Sequence, residues 1–422
     1  MTADEKQRLI VSCGRVFSPS APVNRLTLFA GRLGQVRQIS EAINTRGRHA
    51  IVYGNRGVGK TSLANILKDL FRGIEGMRFA KVNCVATDTF TNVWKKAFSE
   101  LSVLEEQSPS HTDDLARRPV ERTLDQYMNL SAHVGPGEVR KILRQASQED
   151  FELVIVFDEF DRLHEEDRHL FADTIKDLSD NSVNTTLVLV GVARDVVELI
   201  EEHASIDRCV VQILMPPMTR AELRDIITRA LDALKMTIDE NAAELIVSLS
   251  QGLPHYTHLI GQESASTAID ADRLGITADD VNNGIKEAIG KVDQSLRSDY
   301  LRAAQGQRRG TLFPHVLLAC ALADVDELGY FSSTDVRGPL CDLTGEEYDI
   351  PNFSQHLDKF TDPARGPVLE KWGTARRFRF RFRNPLLRPF VLMKGLTDGA
   401  ISGTLFGRIR QRSTPNGNVG TP

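Results

Sequence analysis

The sequence predicts an α/β protein built around a parallel sheet, and three observations carry that prediction. Residues 50–71, AIVYGNRGVGKTSLANILKDLF, read as a short apolar strand, a glycine-rich turn and a helix. Residues 151–163, FELVIVFDEFDRL, hold an unbroken apolar run that suits a strand buried on both faces and ends in acids. Around these two segments, continuous apolar strands alternate with helical patterns, which is the signature of a parallel sheet covered by helices.

The elements follow in order. Ala50 to Tyr53 form the first strand, and Leu63, Ile66, Leu67, Leu70 and Phe71 recur at helical spacing after the turn. Phe79 to Cys84 is a second strand, and Phe90 to Leu101 a helix. Residues 105–137 are polar and rich in Ser, Pro, His and Gly, a loop-rich insertion around a short helix. Thr185 to Val192 and Cys209 to Leu214 complete the strands. After Pro216 and Pro217 the pattern is helical only. Thr219 and Glu222 have capping-box spacing, with Leu223, Ile226, Ile227, Ala230, Leu231 and Leu234 on one face. Further helices start near Asp239, Pro254 and Thr277. Four regions result: an α/β domain over 1–215, a helical domain over 216–300, a third domain over 301–396 and a flexible basic tail over 397–422.

At 422 residues the chain exceeds one ordinary core. Hydrophobic residues make up 41% and charged ones 26%, a globular balance. No apolar run reaches the length of a membrane span, and the N-terminus lacks a signal-peptide core. The five cysteines form no CxxC pair and no zinc spacing, so a reducing, cytoplasmic location is expected. The net charge of −5 neither demands nor excludes nucleic acid, but its distribution is uneven. Residues 321–350 carry eight acids against Arg337 alone, whereas residues 371–412 carry eleven bases against Asp398 alone.

The chemistry concentrates in two segments. Gly54, Asn55, Arg56, Gly57, Val58, Gly59, Lys60, Thr61 and Ser62 form a candidate phosphate-binding loop: glycines permit positive φ and let backbone N–H groups converge on phosphate oxygens. The helix that follows points its positive end at the same place. Lys60 would reach the β- and γ-phosphates of ATP or ADP, and the Thr61 hydroxyl would hold Mg²⁺. Asp158 and Glu159 end the strand VIVFDE, where open α/β sheets bind ligands. Asp158 would hold Mg²⁺ through water and Glu159 would polarise the water that attacks the γ-phosphate. A helix N-cap with first-turn acids is the alternative for this acidic pair, and Asp161 reads as a capping or surface acid.

The order GNRGVGKTS, FAKVNC, VIVFDEFDRL, TTLVLVGVARDV, the segment from Ser205 to Arg208, PPMTRAEL and a GLP-containing helical segment resembles AAA+ ATPases of the origin-recognition and cell-division-cycle initiator type. It is similar as well to their bacterial relatives near the signal-transduction ATPases with numerous domains (STAND). The segment LFAGRLGQVRQI resembles that family's nucleotide-binding box ahead of the phosphate loop. The resemblance implies a P-loop AAA+ core with a helical lid and a C-terminal winged-helix-like domain, and ATP hydrolysis. It implies that Arg208 reaches the γ-phosphate of a neighbouring subunit, although a surface arginine capping a strand fits the sequence too. It implies that Arg32, with Val16, Phe17 and Phe29, lines the base pocket, although packing explains the apolar three as well. Two positions depart from the family pattern. The first sensor meets Gly191, Val192, Ala193 and Arg194, of which only Arg194 is polar. The second sensor falls at His255 instead of an arginine. Both departures suggest slow turnover and a switch instead of a motor.

In the segment from Phe378 to Arg383, three phenylalanines alternate with Arg379, Arg381 and Arg383, so a strand would place the rings on one side and the guanidinium groups on the other. With Gly373 at a hairpin before it, the strand resembles the wing of a winged helix, whose arginines would contact DNA phosphates. The alternative is a charged strand face, docked by the acidic half of the same domain. The sequence therefore leaves a homo-oligomeric DNA-binding switch and a regulatory or signalling ATPase with a protein partner both open.

Overall fold

The computed structural model describes residues 1–71, 73–105, 120–128, 133–147, 151–192, 206–305, 311–374, 377–401, 405 and 407. Two compact units divide them. One comprises Pro22–Asn55 and Gly59–Met215, and the other Met1–Ala21, Arg56–Val58 and Pro216–Pro422. The division between them falls after Met215, and the N-terminal helix α1 (Ala3–Val16) groups with the unit that holds Pro216–Pro422.

In the sheet unit, α2 (Leu33–Ile43) precedes β1 (His49–Gly54), and α3 (Lys60–Phe71), β2 (Met77–Asn83) and α4 (Phe90–Ser99) follow. The region expected to be loop-rich contains more order than that. β3 (Ser102–Glu105) pairs antiparallel with β4 (Val120–Thr123), and α5 (Leu124–Met128) and α6 (Pro136–Ala146) follow. Next come β5 (Glu152–Asp158), α7 (Glu165–Asp180), β6 (Thr185–Val192) and β7 (Val210–Met215). The five long strands pair in the order β2-β5-β6-β1-β7, every pair parallel.

Strand alternation sorts the core into two layers. Ile51, Ile155, Phe157, Leu187 and Leu189 face a cluster drawn from α4, α6 and α7. Its centre is aromatic: Trp94 stacks on Phe171 at 5.8 Å and meets Phe157 edge-on at 5.2 Å. Ala50, Val52, Val154, Val156, Val188 and Val190 point to the other face, also buried, where α2 and α3 lie. Burial on both faces is what the unbroken apolar runs require.

The second unit opens with α1 and continues through α8 (Arg220–Leu234), β8 (Thr237–Ile238), α9 (Glu240–Ser250), α10 (Pro254–Asp270), β9 (Gly275–Ile276), α11 (Ala278–Lys291) and α12 (Gln294–Ala304). The capping box of Thr219 and Glu222 is formed as the sequence predicts. α1 packs on α10, with Phe17 fully buried beside His258 at 6.2 Å. Then follow α13 (Phe313–Leu322), β10 (Phe331–Ser332), α14 (Ser333–Thr344), α15 (Ile350–Phe360), β11 (Leu369–Trp372), β12 (Arg379–Phe382) and α16 (Leu387–Thr397). The last three strands form an antiparallel sheet in the order β10-β12-β11. α16 packs against both α11 and α13, and the Tyr256 hydroxyl donates to the Leu386 carbonyl at 2.7 Å, so helical and C-terminal parts share one core. Of the expected tail, Ile401 and Leu405 are buried, and most of the rest lies outside the described residues. Among the described residues no helix is long and apolar enough to cross a membrane.

Candidate nucleotide site

β1 delivers the chain into the phosphate loop and α3 carries it away, as the sequence predicts. Gly57 and Gly59 have φ of 82° and 97°, a region that side chains with Cβ adopt at a cost, so the loop needs glycine there. At Gly54 the need is space: a Cβ would stand 2.4 Å from the Met215 carbonyl oxygen. Lys60 curls back over the loop and its Nζ donates to the carbonyls of Gly54 and Asn55, both at 2.9 Å. Asn55 and Val58 are buried and Arg56 is exposed. Ser62 Oγ accepts from the Val23 backbone N–H at 3.1 Å.

Two places along the sheet from β1, beyond β6, β5 ends at Asp158, only 2% exposed. Its Oδ1 accepts from the Glu159 N–H at 3.0 Å and faces Thr61 Oγ1 at 3.5 Å. Its Oδ2 lies 3.1 Å from Lys81 Nζ. That ammonium donates to Asn65 Oδ1 at 2.5 Å, and among the described residues no donor aims a hydrogen bond at Asp158 Oδ2. A buried carboxylate whose Oδ1 stands beside a threonine hydroxyl offers the hard oxygens that fit a magnesium ion and its water. Glu159 adopts φ 55°, ψ 37°, and its carboxylate pairs with Arg162 at 2.9 Å.

Asp161, read from sequence as a capping or surface acid, accepts from the Val192 N–H at 3.0 Å and thereby fastens the end of β6 to the turn after β5. Arg194 lies outside the described residues. Arg208 is exposed and pairs with Asp180 at the end of α7, 2.5 Å away. Arg32 is buried and caps α2 in a left-handed conformation. Phe29 is buried in the same unit, while Val16 and Phe17 belong to the helical unit. His255 Nδ1 sits 2.7 Å from the Pro19 carbonyl oxygen, and burial pulls its pKa below the usual histidine value, so it stays neutral at pH 7.

Sequence reasoning missed Lys81 and Asn65. The signal was available: a lysine between the apolar Ala80 and Val82 of a strand, two residues before the position that pairs with Asp158.

The C-terminal arginines differ in surroundings. Arg379 pairs with Asp326 at 2.9 Å, and Arg381 pairs with Glu370 at 2.8 Å while its guanidinium lies 4.6 Å above the Tyr330 ring. Arg383 is exposed. Phe380 and Phe382 are buried on the opposite face, as the alternation predicts.

A model of the family described as novel STAND NTPase 1 matches residues 23–289, more than half of the chain. The chain belongs to that family. Its fold is that of the Walker-type ATPase of Pyrococcus abyssi, with a TM-score of 0.52 and 14% identity over 89% of this chain and 99% of the other. It is also similar to Cdc6p of Pyrobaculum aerophilum, with a TM-score of 0.46 and 17% identity over 95% of this chain and 99% of that one. The ORC1 protein of Aeropyrum pernix, solved in complex with DNA, gives 0.45 and 15% over 92% and 97%. No curated protein matches. The resemblance read from the motifs, to AAA+ P-loop ATPases near the STAND group, is borne out, and this member of an NTPase family carries its candidate site on a parallel five-stranded sheet.

Proposed function

We propose that this protein binds ATP and hydrolyses it slowly, as a nucleotide-dependent regulatory switch. The observation that carries the reading is that Thr61, just beyond the loop after β1, and Asp158, at the end of β5, come within 3.5 Å of each other although β6 lies between those two strands. Lys60 exchanges its two loop carbonyls for phosphate oxygens, so the charge is already aimed before nucleotide arrives. Thr61 and Asp158 hold Mg²⁺, which supplies neutralisation of phosphate charge when bound. Glu159 takes up the attacking water once it releases Arg162. Arg208, exposed and able to leave Asp180, supports an arginine that serves a neighbouring subunit in a homo-oligomer. His255, at the expected second-sensor position, is neutral where the family pattern has an arginine, which supports slow turnover.

The test is calorimetry with a non-hydrolysable ATP analogue. Lys60→Ala is expected to abolish tight binding, and Glu159→Gln to keep ATP bound and stop hydrolysis. Equal affinity of Lys60→Ala and wild type would sink the assignment.

For the C-terminal part we favour a protein partner, because Arg379 and Arg381 already have carboxylate partners within the domain. DNA is the second reading. The order helix, strand, helix, helix, strand, strand from Phe313 to Phe382 is that of a winged helix, and exposed Arg383 stands at the end of its last strand.

A further inference from the structure

We infer that Lys81 is a resident counter-cation of Asp158, and that it makes nucleotide binding only weakly dependent on Mg²⁺. The inference rests on the nucleotide reading above. Asp158 stands beside the P-loop threonine, 3.5 Å from Thr61 Oγ1, so its carboxylate repels the phosphates of a nucleotide unless a cation offsets it. A bound metal ion is one such cation. Here β2 brings a second cation from within the chain: Lys81 Nζ lies 3.1 Å from Asp158 Oδ2, with the two side chains 11% and 2% exposed.

The contact is built to be electrostatic. Lys81 directs its hydrogen bond to Asn65 Oδ1 on α3, one turn beyond Thr61, and Asn65 thereby fixes where the ammonium stands. Asp158 Oδ2 is buried against the ammonium, and Oδ1 is the oxygen that stays turned to Thr61, where metal-bound water would sit. The same arrangement thus tolerates the ion and lessens the need for it. Lys81 is a positioning residue, acting on nucleotide through Asp158.

The measurement is the affinity for ADP by calorimetry on the full chain, once with excess Mg²⁺ and once with EDTA. Wild type should bind in both buffers with affinities within about tenfold of each other, because a unit counter-charge at a partly solvated site changes binding by about that factor. Lys81→Met should lose about tenfold more affinity in EDTA than in Mg²⁺. Lys81→Arg should restore the wild-type ratio, which guards against misreading a folding defect. In EDTA the double variant Lys81→Met with Asp158→Asn should bind about as wild type does, since both charges are gone. A wild-type ratio near a thousandfold, an unchanged ratio in Lys81→Met, or a defect that persists in the double variant would each overturn the inference while leaving the nucleotide reading intact. No ADP binding by wild type in either buffer would instead overturn the nucleotide reading, and the Lys81 inference with it.

Discussion

His49 opens the strand that leads into the phosphate loop, and its surroundings predict how the sheet unit responds to acid. The side chain is fully buried: Nδ1 accepts the Leu187 N–H at 3.0 Å and Nε2 lies 3.1 Å from Ser179 Oγ. Because a backbone donor faces Nδ1, the proton of the neutral ring belongs on Nε2, and a second proton would set two donors head to head. Burial lowers the pKa from 6.5 to about 4. The unfolded chain protonates near 6.5 while the folded protein resists until about 4, so stability is full above pH 6.5 and is lost as pH falls between those values. At ~1.4 kcal/mol for each pH unit of that interval, the loss amounts to about 3 kcal/mol. Urea unfolding at pH 7, 5.5 and 4.5, followed by the fluorescence of buried Trp94, isolates this unit if exposed Trp372 is first changed to phenylalanine. His49→Gln can still accept from Leu187 but cannot titrate. It should lose about 1 kcal/mol at pH 7, as for one imperfectly replaced hydrogen bond, and show a flattened pH dependence. A His49→Gln protein that keeps the wild-type slope between pH 6.5 and 4 would refute the argument.

Further outcomes follow from the site and from the C-terminal sheet. Mixing Arg208→Ala with Glu159→Gln protein should restore part of the lost ATPase activity, since only mixed interfaces unite an intact Glu159 with an intact Arg208; no recovery in protein shown to co-assemble counts against action between subunits. Arg383→Ser should lower the slope of log affinity against log salt by about 1 in anisotropy titrations with a labelled duplex, if DNA binds at all. Arg381→Ser should instead leave duplex affinity alone and cost the C-terminal sheet about 1 kcal/mol, read by thermal unfolding, because its guanidinium is already paired with Glu370. Absence of duplex binding by wild type at low salt with ATP present leaves the protein-partner reading.

What was legible in the sequence follows physical lines. The phosphate loop and the acidic strand end are local: glycine spacing, an adjacent lysine and threonine, and an apolar run closing in two acids carry their chemistry within a dozen residues. Parallel pairing was legible as well, because strands buried on both faces lose their alternation. The order β2-β5-β6-β1-β7 was not, since crossovers of similar length fit several orders. α6 was missed because Pro and Gly at its start read as loop, although Val139, Ile142, Leu143 and Ala146 share one buried face. The grouping of α1 with the helical unit depends on packing against α10, more than two hundred residues away, which no local pattern encodes. The same distance problem hid the fate of the arginines. Their alternation predicted two faces, but the carboxylates that pair Arg379 and Arg381 come from Asp326 and Glu370, on other elements.

The two acids at the end of β5 raise a geometric difficulty that the backbone resolves. Successive side chains of a strand point to opposite faces, so Asp158 and Glu159 in regular β geometry could not both serve one bound nucleotide. Asp158 keeps the strand conformation and lies buried under Lys81. Glu159 turns into the left-handed region at φ 55°, which redirects its carboxylate from the face that alternation would assign. A residue with a Cβ gives up about 1–2 kcal/mol for that conformation. Glycine would adopt it freely but has no carboxylate. The turn is held from two sides: Asp158 Oδ1 accepts the Glu159 N–H, and Asp161 ties the following residues to Val192 on β6. Glu159→Gly should therefore stabilise the fold slightly while ending hydrolysis, and a clear loss of stability would show that Glu159 is held there by packing and not for chemistry.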